Sequence, residues 1–408
     1  MELYNDNYKN VHEDKKAFMD EVKDREANTE RVIVKSHDIT VGELYRNEYG
    51  ELLFVHLECE ENTKERYPQD QYSISAQAIH SEDIDTAAAE NTVEKGSCLA
   101  IAVRKDDTVR YYPISDVAKT SLNNRTGDSF NGELSEDLND NLTNPAVPPL
   151  TRAKIYDTHL KAKNSTLQLI VVYGKVQAIM SSRYTPIEQQ AVFDAVENEC
   201  EKQGYKCDFF GGVISHRSTS CMFSVANNNL AANGYSVGLT VDDSSTGFSG
   251  VHIYPIIMKD DIKIGFDDAY STKHVGLSMD DIPEGVKACM LKLEDNVSKI
   301  IDATTVTLQH PMAYIKNAFE ALNNLVKRMP GTTMTDAQYD FVKEQLEEAL
   351  FLNTSATLYD VIEMFWAIPE QFKKSSNRVK NPDEYKKRLE KTVSRILVLE
   401  HEKLDKVD

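Results

Sequence analysis

The apolar residues of this chain change their period near residue 280, and that change limits the fold more than any other feature. Before it, they cluster in short runs rich in β-branched and aromatic side chains. Arg31–Lys35, Leu52–Leu57, Tyr72–Ser75, Leu99–Val103 and Val109–Ile114 read as strands of this kind. Thr166–Tyr173, Val176–Met180, Gly212–Ser215, Cys221–Val225, Tyr235–Val241 and Val251–Met258 continue the series. After it, apolar residues recur every three or four positions. Val286, Met290, Leu293, Val297 and Ile300 form one such stripe, and Tyr314–Lys327, Phe341–Leu352, Leu358–Ile368 and Tyr385–Leu397 carry others. Strands followed by a block of helices predict an α+β chain rather than alternating βαβ units. The expected architecture is a mainly antiparallel curved sheet flanked by helices, with a helical C-terminal region.

Local signals sharpen this outline. Lys105–Thr108 and Gly174-Lys175 read as hairpin turns. Thr185, Pro186 and Glu188 resemble a capped helix start, which places a helix over 186–202 with Ile187, Val192, Phe193 and Val196 on its apolar side. Thr335 with Gln338, and Asn381 with Glu384 after Pro382, read as further capping boxes. The stretch 121–149 is rich in Asn, Asp, Ser, Gly and Pro and is expected to be a flexible loop. The divisions that follow are a charged arm or helix at 1–30, an α+β core at 31–302, and a helical region at 303–408.

Composition excludes several roles. The 408 residues hold 46 Lys and Arg against 66 Asp and Glu, for a net charge of −20. A body so negative repels polyanions at long range and cannot coat nucleic acid with its whole surface. A local basic groove remains open to it, because salt screens each charge beyond about 10 Å. No apolar stretch is long enough for a membrane span, and Met1–Asp6 lack the features of a signal peptide. The expected compartment is the cytoplasm, that of the host cell if the chain is phage-encoded, with virion association as the alternative. Six scattered cysteines without a C-x-x-C pair read as free, mostly buried thiols.

The motifs for phosphate loops, zinc proteases and serine hydrolases are absent, so no cofactor, metal or catalytic residue is expected. The pairs Asp242-Asp243, Asp267-Asp268 and Asp280-Asp281 read as solvated turns. Adjacent acids on a strand point to opposite faces, which makes shared metal ligation awkward.

Three groups carry the candidate nucleic-acid contacts. Near the C-terminus, Lys373, Lys374, Arg378, Lys386, Lys387 and Arg388 head a basic stretch that runs on through Lys391 and Arg395. It either meets phosphates or docks on acidic parts of the same molecule or a neighbouring subunit. Arg183-Tyr184 and His216-Arg217 lie at strand ends, where an arginine beside an aromatic suits a stacked base and its phosphate. The plainer reading packs the tyrosine under a helix start and leaves the arginine in a surface ion pair. The loop residues Ser244, Ser245, Gly247, Ser249 and Gly250 could offer amides to an anion or form a simple turn. Lys273 would add charge, and His274 could serve as acid or base or merely be exposed.

Ser182–Ile187, Thr246–Pro255, Lys273-His274 and Thr357–Val361 together resemble a family of phage, prophage and conjugative-plasmid proteins that has no settled activity. The similarity spans about residues 95–370. It implies an accessory role in phage nucleic-acid metabolism or host takeover and assigns no catalytic residue. Curved sheets backed by a helix recur in single-strand annealing proteins, which form rings, so a homo-oligomer is expected. The first functional expectation is a nucleic-acid-binding accessory protein without turnover, acting on single strands. The alternatives are a component that binds a host or phage protein, and an enzyme acting on a nucleotide-like ligand.

Overall fold

The computed structural model describes residues 8–59, 72–93, 97–127, 149–185, 187–226, 235–244, 246, 250–259, 262–274, 279–326, 333–353, 355–372 and 382–407. Elements are numbered along the chain. The principal sheet contains β1 (Lys9–His12), β10 (Lys206–Ser215), β11 (Thr219–Ala226), β12 (Ser236–Asp243), β13 (Val251–Lys259), β14 (Ile262–Gly265) and β15 (Tyr270–Thr272). Its order is β1-β10-β11-β12-β13-β14, with β15 also on β13, and every pairing is antiparallel. The sheet curls into a half-barrel.

Two smaller antiparallel sheets precede it. One is β2 (Thr29–Lys35), β8 (Thr166–Val172) and β9 (Lys175–Ser181), in that order. The other runs β5-β4-β3-β6-β7, from β3 (Ile39–Arg46), β4 (Leu52–Cys59), β5 (Tyr72–Ala78), β6 (Cys98–Lys105) and β7 (Thr108–Pro113). Tyr173 and Gly174, both at positive φ, join β8 to β9 as the two-residue hairpin turn that strand twist favours. The chain is therefore α+β, with helices gathered towards its C-terminus.

The helices are α1 (Lys15–Ala27), α2 (Thr86–Val93), α3 (Asp116–Gly127), α4 (Pro149–Lys163), α5 (Gln189–Lys202), α6 (Ile282–Thr305), α7 (Pro311–Val326), α8 (Asp336–Leu352), α9 (Leu358–Gln371), α10 (Pro382–Ser394) and α11 (His401–Leu404). The alternation of β12 explains how they pack. Val237, Leu239 and Val241 are buried on the side of α1, α5 and α6, where Phe18, Val192, Phe193, Val286 and Leu293 join one apolar core. That core extends without a break into α7, α8 and α9 through Phe319, Leu346 and Phe365. Tyr8, Phe18, Met19 and Val22 belong to it as well. β1 pairs with β10, and α1 buries Phe18 completely.

Two local expectations need correction. The stretch from 121 does not begin as a loop, because α3 continues to Gly127 and buries Leu122, while α4 starts at Pro149 and buries Tyr156 and Leu160. Residues 128–148 lie outside the described residues. The Thr185 capping box does not form either. The N-cap of α5 is Glu188. Its first amides, those of Gln189 and Gln190, donate to the Glu26 carboxylate of α1 at 2.5 and 3.3 Å. A carboxylate suits a helix N-terminus wherever it comes from in the chain. In contrast, Gln338 accepts from the Thr335 amide at 2.9 Å as the capping box requires. The Asn381 box lies outside the described residues, although α10 does begin at Pro382.

Candidate functional site

One end of the principal sheet gathers three turns that are far apart in sequence. The first carries Arg183-Tyr184-Thr185, the second His216-Arg217, and the third Lys273-His274. Thr185 donates its amide to the His274 carbonyl at 3.0 Å. The rings of Tyr184 and His274 lie 5.2 Å apart. Ser244 Oγ donates to the Arg217 carbonyl at 2.7 Å, Thr246 Oγ1 donates to the same carbonyl at 3.3 Å, and Tyr184 donates to the Ser244 carbonyl at 3.4 Å. Arg25 reaches in from α1 and donates to the carbonyls of Ser215 and His216.

At the centre stands a buried pair. His274 Nε2 lies 3.0 Å from Asp243 Oδ1, with the two side chains 3% and 0% exposed. The approach is that of an ion pair when the ring is protonated, not of an aligned hydrogen bond. Neither Asp243 oxygen nor His274 Nδ1 has a hydrogen-bond partner among the described residues. Thr219, paired with Asp243 across β11 and β12, donates to buried Gln189 at 3.0 Å. Burial, with the negative charge of Asp243 added, pushes the Tyr184 phenol up, so it stays a neutral hydroxyl.

This geometry corrects part of the expected nucleic-acid contact set. Tyr184 and His274 are buried and cannot stack on a base or meet solvent. Ser244 is spent on holding the Arg217 turn. Gly250 serves close packing, because a Cβ there would sit 1.6 Å from the Thr272 carbonyl oxygen. His216 is half-buried and donates its amide to Tyr8. Ser245, Gly247 and Ser249 lie outside the described residues. Arg183, Arg217 and Lys273 are exposed, and none has an ion pair among the described residues. Sequence reasoning missed Arg31, which is exposed on β2 and close enough for its charge to act on the Tyr184 phenol. Strand alternation within Arg31–Lys35 was the available signal, because it sets Arg31, Ile33 and Lys35 on one exposed face.

The C-terminal basic stretch goes elsewhere. Lys386 pairs with Glu370 at 2.6 Å, Lys387 with Asp242 at 2.9 Å, and Lys391 with Asp268 at 2.5 Å. Arg395 grips Asp267 through two bonds of 2.9 Å. Lys391 also lies 4.7 Å above the Tyr254 ring, and His252 Nδ1 approaches Asp268 at 2.9 Å. Arg388 is exposed on the same helix, while Lys373, Lys374 and Arg378 lie outside the described residues. Asp242 and Asp243 point to opposite faces of β12. The acids that hold Lys387 and His274 thus lie on opposite faces of one strand.

Among the described residues, no group of three or more His, Cys, Asp or Glu is arranged to hold a metal, and no helix is long and apolar enough to cross a membrane. The chain matches no family model, no curated protein and no solved structure.

Proposed function

We propose that the protein binds a polyanion at the rim formed by Arg183, Arg217 and Lys273, with single-stranded nucleic acid as the principal ligand. It would do so without turnover, as an accessory protein of the phage or plasmid kind that its sequence resembles. One observation carries this reading. Three sequence-distant turns are bonded to one another, and each presents an exposed cation with no carboxylate partner among the described residues. In a chain of net charge −20, whose C-terminal cations are largely neutralised by its own acids, such cations stand out. The predicted aromatic partner, Tyr184, is buried. Contacts at the rim are therefore to phosphate rather than to bases, and binding tolerates any sequence.

The test is fluorescence anisotropy with labelled single-stranded DNA at a series of salt concentrations. Three phosphate contacts on a single strand give a log–log slope of about −2. Absence of binding at low salt, or affinity that ignores salt, would remove the proposal.

A further inference from the structure

We propose that Lys263, on β14 inside the curl of the principal sheet, is a nucleophilic amine that captures a carbonyl compound as an imine. The geometry that carries this is a contrast among neighbouring lysines. Lys386, Lys387 and Lys391 each lie within 4.0 Å of a carboxylate, those of Glu370, Asp242 and Asp268 respectively. Lys263 has no carboxylate within that range among the described residues. Its Nζ instead lies 2.7 Å from the Met222 thioether sulfur, a weak acceptor. Lys263 pairs in register with Met258, and Met222 lies across the sheet on β11, so the side chain spans the curl above Tyr254 and Ile256.

An ammonium held in this way lacks the hydrogen bonds that would hold its third proton. The charged groups facing it are Glu390, Lys386 and Lys387 from α10 and Asp242 from β12, and Asp242 is already engaged by Lys387 and Tyr254. Burial first, and then Lys387 and Lys386, lower the affinity of Lys263 for its proton, while Glu390 and Asp242 oppose them without reversing the direction. A half-buried amine beside other cations is the arrangement that turns lysine into a nucleophile. The reaction balances without an oxidant. The Nζ lone pair attacks the carbonyl carbon, the amine proton passes to the carbonyl oxygen, and the carbinolamine loses water to leave a C=N bond.

The full chain is treated with limiting formaldehyde and cyanoborohydride at pH 7 and at pH 10, and each lysine is quantified by peptide mapping. Hydride from the cyanoborohydride fixes the imine as a methylamine. At pH 7 Lys263 is expected to react faster than exposed Lys16 and Lys105. The preference should fade at pH 10, where every lysine is more fully deprotonated. Reaction of Lys263 at or below the rate of Lys16 and Lys105 at pH 7 would overturn the proposal, whether the cause is protonation or occlusion. The experiment contains no polyanion, so its outcome is independent of the rim.

Discussion

Lys387 donates to Asp242 at 2.9 Å across 145 positions of the chain, pinning α10 to β12. Asp242 also accepts from Tyr254 at 3.1 Å on the same oxygen, so an asparagine keeps one acceptor there but loses the charge that strengthens both bonds. Asp242→Asn is expected to cost about 1–3 kcal/mol, the range for losing a charged hydrogen-bond partner at a mostly buried site. Urea unfolding of the single variants and of the double variant with Lys387→Met checks this. A coupling indistinguishable from zero would mean that the pair does not help to hold the helix.

Acid should loosen the same contact. Burial raises the pKa of Asp242, but Lys387 and its hydrogen-bond donors outweigh burial and hold it below the usual 3.8. Burial likewise opposes His252 and Lys391 at Asp268, and again the net shift is downward. A carboxylate with a depressed folded-state pKa contributes stability that is complete above the unfolded value and is lost as pH falls through the folded one. Stability should therefore drop below about pH 4. A variant carrying Asp242→Asn and Asp268→Asn should show a flatter profile there in chemical denaturation.

Glu390 runs the other way. Burial pushes its carboxyl up, although Lys263, Lys386 and Lys387 pull down. An acid that holds its proton more tightly when folded destabilises the fold as pH rises through the unfolded and then the folded value. Glu390→Gln is expected to gain stability relative to wild type at pH 8 and to gain less at pH 4. Thermal melts at the two values check the sign.

The rim makes a separable claim. Arg183, Arg217 and Lys273 are exposed and lack ion pairs among the described residues, so replacing all three with alanine should change stability by no more than about 0.5 kcal/mol per site. Single-strand affinity should fall by at least about tenfold and lose its salt slope. Melting curves run beside the binding assay distinguish lost contact from lost fold.

Gly250 tests the packing at the same end. A methyl group there would stand 1.6 Å from the Thr272 carbonyl oxygen, so β13 and β15 would have to part. Gly250→Ala is expected to cost about 1–3 kcal/mol in urea unfolding, the usual penalty for overpacking.

Much of the fold is legible in the residues because burial is periodic. The runs at Leu99–Val103 and Val251–Met258 became β6 and β13, and the stripe from Val286 to Ile300 became α6. The start of α5 was not legible. Its capping carboxylate comes from Glu26, some 160 positions away. Asp242 and Asp243 looked like a solvated turn because local sequence carries no trace of Lys387 or His274, which meet them only after folding. The turns bearing Arg183, Arg217 and Lys273 could be picked out one by one as strand ends, but their union rests on hydroxyl and carbonyl contacts that no spacing encodes. Arg25 was hidden within a segment whose charge suggested an arm or helix, and Arg31 within a strand that carried no motif.

The paired acids at the end of β12 also bear on how the sheet finds its alignment. Sliding that strand one step in one direction would drive Asp242 into the fully enclosed position of Val241. Sliding it the other way would set Val241 against the ammonium of Lys387. Either error strands a charge in an apolar setting, whereas a pair of valines at the same place would tolerate the slip. The dipeptide thus acts as a parity check on alignment, penalising a strand that sits one residue out of line.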